Sequence, residues 1–263
     1  MDHTYWHRQK AGEPLFPDLL WSRPENRAQA GKLLVVGGNA HGFAAAGEAF
    51  AMAMKAGSGT VRVLLPDSLQ KTVGRVFEAG EYAPSTPSGS FSKLSLASLI
   101  EMSAWADGVL LSGDMGRNSE TAVLLEAFAS KYSGKLVITQ DSLDYFIKSP
   151  KSLLNRPSTT LVASFAQLQK IGTNSSYYKA FTFEMDFLKL VETLHDFTTK
   201  YPVTIVVKHL KDIFVASAGQ VSSTRLEQDQ EIWRVNTAAR VSVWQIQNPT
   251  KIFEATTSAL VSE

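Results

Sequence analysis

The 263-residue chain contains no cysteine. That excludes disulfides, thiolate nucleophiles and thiolate-bound metals, and it fits a reducing cytoplasm as the expected location. Net charge is also nearly absent: 26 Lys and Arg stand against 25 Asp and Glu, for +1 overall. Such a balance gives no electrostatic pull toward nucleic acid or an anionic membrane surface, and neither is expected as a partner. No segment approaches the ~20 consecutive apolar residues that span a bilayer. The opening residues, Asp2 to Arg8, hold an early acid and no apolar run, unlike a secretory signal. No Gly-x-Ser-x-Gly elbow occurs, so a serine hydrolase of that type has no support. What is present is ordinary for a globular chain, with 44% hydrophobic and 19% charged residues.

From residue 31 onward, short apolar runs alternate with helical patterns. Strands are expected at Lys32–Gly37, Thr60–Leu65, Gly108–Ser112, Lys135–Thr139, Thr160–Ala163, Thr204–Lys208 and Ile213–Ser217. Several are unbroken Val/Ile/Leu runs, the pattern of parallel strands covered on both faces. Helices are expected at Ala45–Ala56, Ser119–Lys131, Phe183–Thr199, Gln230–Gln247 and Lys251–Val261. The alternation implies an α/β fold with a doubly wound, mostly parallel sheet flanked by helices. Asp212–Gly219 reads as an antiparallel edge hairpin, and residues 80–95, rich in Ser, Pro and Gly, as a loop.

Residues 31–263 read as one domain, and residues 1–30 as an N-terminal arm. The arm carries Tyr5, Trp6, Phe16, Leu19, Leu20 and Trp21, and Pro14, Pro17 and Pro24 rule out a long helix. So much apolar surface is expected to pack on the domain or on a neighbouring copy. Trp233 and Trp244 admit two readings. They form either a subunit contact with the arm, giving a homo-oligomer, or a second buried face of the C-terminal helix. His3 and His7 read as incidental tail residues rather than metal ligands, and His195 as a surface residue; no metal site is expected.

The stretch Leu33–Gly59, LLVVGGNAHGFAAAGEAFAMAMKAGSG, places glycines between an apolar strand and a small-residue helix. Such a turn lets backbone N–H groups approach an anion, with the helix dipole adding attraction. A Walker A loop fails because Phe43-Ala44 follows Gly42 where Lys-Ser/Thr is required. Gly37-Gly38-Asn39-Ala40-His41-Gly42 does not make a dinucleotide fingerprint either, although Asp67 would serve as a ribose acid. An NAD-dependent oxidoreductase is therefore the least supported function. A tight turn serving helix–sheet packing remains open.

The same stretch resembles the opening of the NAD(P)H-hydrate dehydratase family, a carbohydrate kinase-like group within the ribokinase-like superfamily. Gly37-Gly38-Asn39, Ala45 and Lys55-Ala56-Gly57-Ser58-Gly59 fall on its first motif. Asp107–Phe128 (DGVLLSGDMGRNSETAVLLEAF), Leu136–Phe146 (LVITQDSLDYF) and Thr204–Gln220 (TIVVKHLKDIFVASAGQ) are similar to later ones, in the right order. The resemblance implies a ribokinase-like fold, and ADP or ATP with Mg²⁺ as cofactor. It also implies a reaction that phosphorylates the hydrate hydroxyl and eliminates phosphate.

The ligand-binding candidates implied by the resemblance are Gly37, Gly38, Asn39 and Ala45 at the first turn, and Gly113, Asp114 and Gly116 at the second. Asp141, Ser164, Lys208 and Asn236 complete them. Departures concentrate at these places. Asp114 replaces a loop glycine, while Ser164 and Gln167 replace a His and an acid. His209 and Asp212 replace the Gly and Thr that follow the family lysine, here Lys208. The family's catalytic aspartate, which opens a late helix, falls near Arg240, so no catalytic residue is assigned. Asp114 and Asp141 are read as helix caps, or otherwise as a carboxylate pair acting on a small molecule. The expected function is a degenerate relative that binds a nucleotide-like ligand or serves as a structural or regulatory subunit. The alternative is an active dehydratase or a divergent small-molecule kinase.

Overall fold

Leu33, Leu34, Val35 and Val36 are all buried, and they alternate between two cores. Strand geometry sends successive side chains to opposite faces, so an unbroken apolar run requires both faces to be dry. The computed structural model, which describes residues 3–10, 12–75, 77–225 and 233–261, meets that requirement along the sheet. Its strands are β1 (Trp6–Gln9), β2 (Lys32–Gly37), β3 (Thr60–Pro66), β4 (Gly80–Ala83) and β5 (Gly108–Gly113). These are followed by β6 (Lys135–Thr139), β7 (Thr159–Ala163), β8 (Val203–His209), β9 (Asp212–Ser217) and β10 (Gln220–Arg225).

These strands form one ten-stranded sheet in the order β1-β10-β9-β8-β7-β6-β5-β2-β3-β4. Every neighbouring pair from β8 through β4 is parallel, while β9 runs antiparallel to β8 and β10. The doubly wound, mostly parallel α/β architecture is therefore present, and the parallel strands all end on one edge.

The helices are α1 (Pro17–Trp21), α2 (Ala44–Lys55), α3 (Gln70–Val73), α4 (Leu96–Trp105), α5 (Ser119–Lys131) and α6 (Gln140–Asp144). The remainder are α7 (Lys151–Leu154), α8 (Phe165–Asn174), α9 (Phe187–Lys200), α10 (Trp233–Gln247) and α11 (Ile252–Ser258). One face of the sheet carries α4, α5, α8 and α9 through Leu99, Phe128, Leu168 and Leu194. The other carries α2 and α10. The buried faces of those two helices are made of small residues, Ala46, Ala49 and Ala53 with Ala238 and Ala239, which let the helices pack together against the strands.

The expected strands and helices are present with ends shifted by a few residues; residues 230–232 of the expected Gln230–Gln247 helix lie outside the described residues. Two longer helices, α4 and α8, were not read from the sequence. Part of the stretch taken as loop, Gly80–Ala83, is β4, a short edge strand. The β9–β10 hairpin does not lie at the edge, because the arm covers it. β1 pairs with β10 in parallel, with Trp6 opposite Val221 and Gln9 opposite Thr224.

The arm is held by side chains as well. Trp6 Nε1 donates to Ser223 Oγ at 3.1 Å, and Gln9 Nε2 donates to the Thr257 carbonyl at 2.8 Å. Tyr5 stacks on His195, with ring centroids 3.7 Å apart. His195 is thus half-buried under the arm rather than a surface residue, and His7 belongs to a strand rather than a loose tail. Leu19 joins a small core with Trp244 and Ala255, and the Arg23 guanidinium lies over the Trp244 ring. Trp244 is fully buried within its own chain, so the second-buried-face reading holds for it. The side chain of Trp233 lies outside the described residues.

Removing the Trp6 indole deletes both its packing on Phe187 and its bond to Ser223. Trp6→Ala is expected to destabilise the fold by about 2 kcal/mol, less than a fully buried tryptophan. Amide exchange in Gln220–Arg225 should accelerate. Denaturant melts with hydrogen-exchange mass spectrometry measure both, and unchanged exchange in β10 would mean that the arm does not protect it.

Candidate functional site

Five consecutive parallel strands end side by side at one edge of the sheet: β8, β7, β6, β5 and β2. Their last residues deliver Lys208, Ser164, Asp141, Asp114 and the Gly37-Gly38-Asn39 turn in that spatial order. Crevices outside the carboxyl ends of such strands are where open α/β sheets bind ligands.

The first two turns are fastened directly to each other. Gly38 N–H donates to the Gly113 carbonyl at 3.0 Å, and Asn39 Nδ2 donates to the Asp114 carbonyl at 2.6 Å. The Asn39 backbone exchanges two hydrogen bonds with Gly42, so the glycine turn closes on itself. Gly37 permits this approach, because a Cβ there would stand 2.4 Å from Ser112 Oγ and 2.6 Å from the Gly113 carbonyl oxygen. Gly113 has φ +120°, and a Cβ on it would meet Gln140 Cβ at 2.7 Å. Gly116 supplies its carbonyl to the Tyr145 hydroxyl.

Asp114 links this loop to α2. It adopts φ 57°, a left-handed conformation that Asp tolerates better than most side chains. In that pose its carboxylate points at the start of α2, and the Ala45 backbone N–H donates to Oδ2 at 2.8 Å. α2 has no capping side chain of its own, because Phe43 occupies its N-cap position. A carboxylate from another loop therefore takes the place an anionic ligand would have at this helix N-terminus.

Asp141 lies behind it. The Met115 N–H donates to its Oδ2 at 3.0 Å, while Oδ1 is buried without a completed hydrogen bond. Burial raises the Asp141 pKa above the ordinary carboxylate range, the charge of Asp114 raises it further, and the amides of Met115 and Asp114 offset part of the rise. Asp141 is the second residue of α6, but its bond goes to the Ser112–Gly116 loop, so it ties the two strand ends together rather than capping its own helix.

Ser164 caps α8. It exchanges a reciprocal pair of hydrogen bonds with Gln167, a capping box. Gln167 Nε2 donates to the Gln140 carbonyl at 2.8 Å and to Asp144 Oδ1 at 2.7 Å, while its Oε1 accepts from Arg234 Nη1 at 3.0 Å. The first turn of α10 thus holds an arginine and no acid. Burial lowers the Arg234 pKa, opposed by the nearby Asp144 and Asp141 charges. Sequence reasoning passed over Arg234, although it lies two residues before Asn236. Asn236 and Arg240 follow on the same helix, both half-buried, and burial lowers the Arg240 pKa.

Lys208 is half-buried near the end of β8. His209 is buried: its ring packs on Phe165 at 4.6 Å, and Nε2 lies 3.3 Å from the Met185 carbonyl. Among the described residues no three His, Asp or Glu side chains gather as a metal site, and no helix is long and apolar enough to cross a membrane.

No family model and no curated protein matches the chain in sequence. Solved structures do match in shape. A ribokinase-like superfamily protein from Enterococcus faecalis superposes with a TM-score of 0.75 at 14% identity, covering 99% of this chain and 87% of that one. An ADP/ATP-dependent NAD(P)H-hydrate dehydratase from Bacillus subtilis, crystallised with ATP and Mg²⁺, gives 0.64 at 11% identity over 94% and 86%. A pyridoxal kinase from Staphylococcus aureus in complex with AMP-PCP gives 0.54 at 13% identity over 87% and 85%. The fold is ribokinase-like.

The environment of Asp141 makes stability depend on pH with a defined sign. Its folded pKa is raised, so the folded state binds the proton more tightly than the unfolded chain. This contribution to stability is greatest below the ordinary carboxylate range. It falls as pH rises from that range through the raised folded value, and it is level above. Asp141→Asn should remove this part of the slope and leave the protein at least as stable as wild type at pH 7. Paired melts from pH 3 to pH 8 test it; a variant clearly less stable at pH 7 would show that the ionised carboxylate is the stabilising form.

Proposed function

We propose that this chain is a divergent relative of the NAD(P)H-hydrate dehydratases that keeps the ribokinase-like scaffold without the ADP- or ATP-dependent reaction. It serves as a nucleotide-like ligand binder or a structural or regulatory subunit. The observation that carries this reading is the bond from Ala45 N–H to Asp114 Oδ2, at 2.8 Å. A phosphate brought to this turn meets a carboxylate already in place.

A nucleoside di- or triphosphate with Mg²⁺ is the cofactor that the likeness to the Bacillus enzyme suggests, and the residues here do not fit it. The Ala45 amide of α2 is taken, the Asn39 turn is bonded to itself, and the first turn of α10 presents Arg234 rather than an acid. Among the described residues no carboxylate stands at that helix start to act as base on the hydrate hydroxyl, and a missing general base typically costs on the order of 10²–10⁴ in rate. One observation favours the second reading, an active dehydratase or a divergent small-molecule kinase. Asp141 holds its proton above the usual carboxylate range, which suits acid–base work.

Turnover of NADH hydrate with ATP or ADP separates the two. The expected result is a rate equal to the no-enzyme control, whereas catalysis that disappears in Lys208→Ala would establish the second reading. Calorimetry with ADP at matched Mg²⁺ and salt should show weak binding to the native chain. Asp114→Gly should strengthen it by roughly tenfold, because the ligand no longer competes with a charge-assisted bond worth about 1.5–3 kcal/mol. Equal or weaker affinity in the glycine variant would mean that Asp114 is not what closes the site.

A further inference from the structure

The arm does more than cover an edge. β1 runs parallel to β10, so it brings Arg8 and Lys10 to the edge of the sheet where the parallel strands end. There they meet Ser223 and Arg225 of β10, Asp212 of β9 and Phe187 of α9 around a cleft of about 340 Å³. That volume lies within the ~300–1,000 Å³ of small-molecule pockets. Two strands, β9 and β8, separate β10 from β7, so the cleft is distinct from the Asp114 site.

We propose that this cleft binds a small phosphomonoester carried on a flat or apolar body. Arg8 and Arg225 supply the charge. Neither forms an ion pair with another described residue, and Lys10 is paired only with Glu13, at 3.3 Å on the exposed surface. The Arg8 guanidinium lies over the Trp6 ring at 4.2 Å, which fixes its plane and leaves its N–H edges for a phosphate. Ser223 is 4% exposed, and its Oγ accepts from the Trp6 indole, leaving its own hydrogen to donate. The Phe187 ring packs beside Trp6, with centroids 5.1 Å apart, and forms an apolar wall for the body of the ligand. Asp212 stands opposite Arg225 in the strand register. Its carboxylate accepts from a ligand hydroxyl but opposes a second anionic group, which is why a monoester suits the cleft better than a polyphosphate.

The probes are phenyl phosphate and inorganic phosphate, measured by calorimetry and thermal shift on the full chain. Phenyl phosphate is expected to bind saturably and about tenfold more tightly than inorganic phosphate, because only it reaches the Phe187 wall. Arg225→Ala should weaken it by about tenfold or more, as loss of a charged hydrogen-bond donor does. Asp212→Asn should tighten it. Arg8→Gln should weaken it as Arg225→Ala does; Arg225 is exposed at a strand end, so its variant reads the site even if the Arg8 change loosens the arm. Absence of saturable binding would overturn the proposal, as would an affinity indifferent to both arginines. Binding that tightens in Asp114→Gly and does not respond to Arg225→Ala would move the ligand to the other site and overturn it equally.

Discussion

A parallel sheet has to be kept dry on both faces, and the rest of this molecule follows from that requirement. Each parallel strand needs a crossover, the crossovers become the covering helices, and alternate side chains feed two separate cores. Leu33 and Val35 go to one core, Leu34 and Val36 to the other. Because the crossovers all return to the same end, the strand ends gather their loops along one edge. Backbone amides, glycine turns and every candidate group from Lys208 to Asn39 are collected there by topology alone.

At that edge the orphan N–H groups of α2 must be satisfied by water, by a ligand or by the chain itself. For Ala45 it is the chain, through Asp114. A tethered carboxylate binds without the loss of translational freedom that a free ligand suffers, so an incoming anion starts at a disadvantage. The same charge acts on its neighbour. Asp141, half-buried and beside Asp114, keeps its proton beyond the usual range, and Arg234 at the start of α10, bonded to Gln167, feels the charges of Asp144 and Asp141. Gln167 joins Arg234 to Asp144, and with Ser164 and Asp114 it stands where the resemblance implies an acid, a histidine and a glycine. The bonds of this network run between strand ends rather than toward open space.

The arm solves a different problem. A β9–β10 hairpin left at the edge of the sheet would expose unpaired backbone groups, a template for aggregation. β1 covers it from more than two hundred residues away in sequence, with Trp6, Tyr5 and Gln9 locking the register. In doing so it turns a blank edge into a basic cleft, since Arg8 is carried to Arg225 by strand pairing.

The fold was legible because hydrophobic periodicity is local: strands such as Lys32–Gly37 and Lys135–Thr139, and the Ser119–Lys131 helix, show their burial within a few residues. α8 was hidden by its polar first turn, the Ser164–Gln167 box, whereas α4 is mostly apolar but starts without a capping side chain at the end of the Ser/Pro/Gly-rich stretch. β1 was hidden because four residues carry no periodicity, and only pairing with β10 makes them a strand. The glycine turns at Gly37–Gly38 and Gly113 could also be read directly. The direction in which the Asp114 carboxylate points could not. That depends on a left-handed backbone torsion, on Gly113 beside it and on an amide sixty-nine residues away. The chain's own order thus settled which elements form, since burial pattern is a property of neighbours in sequence. Whether its candidate groups face a ligand or one another was settled by hydrogen bonds between loops that meet only when the sheet is assembled.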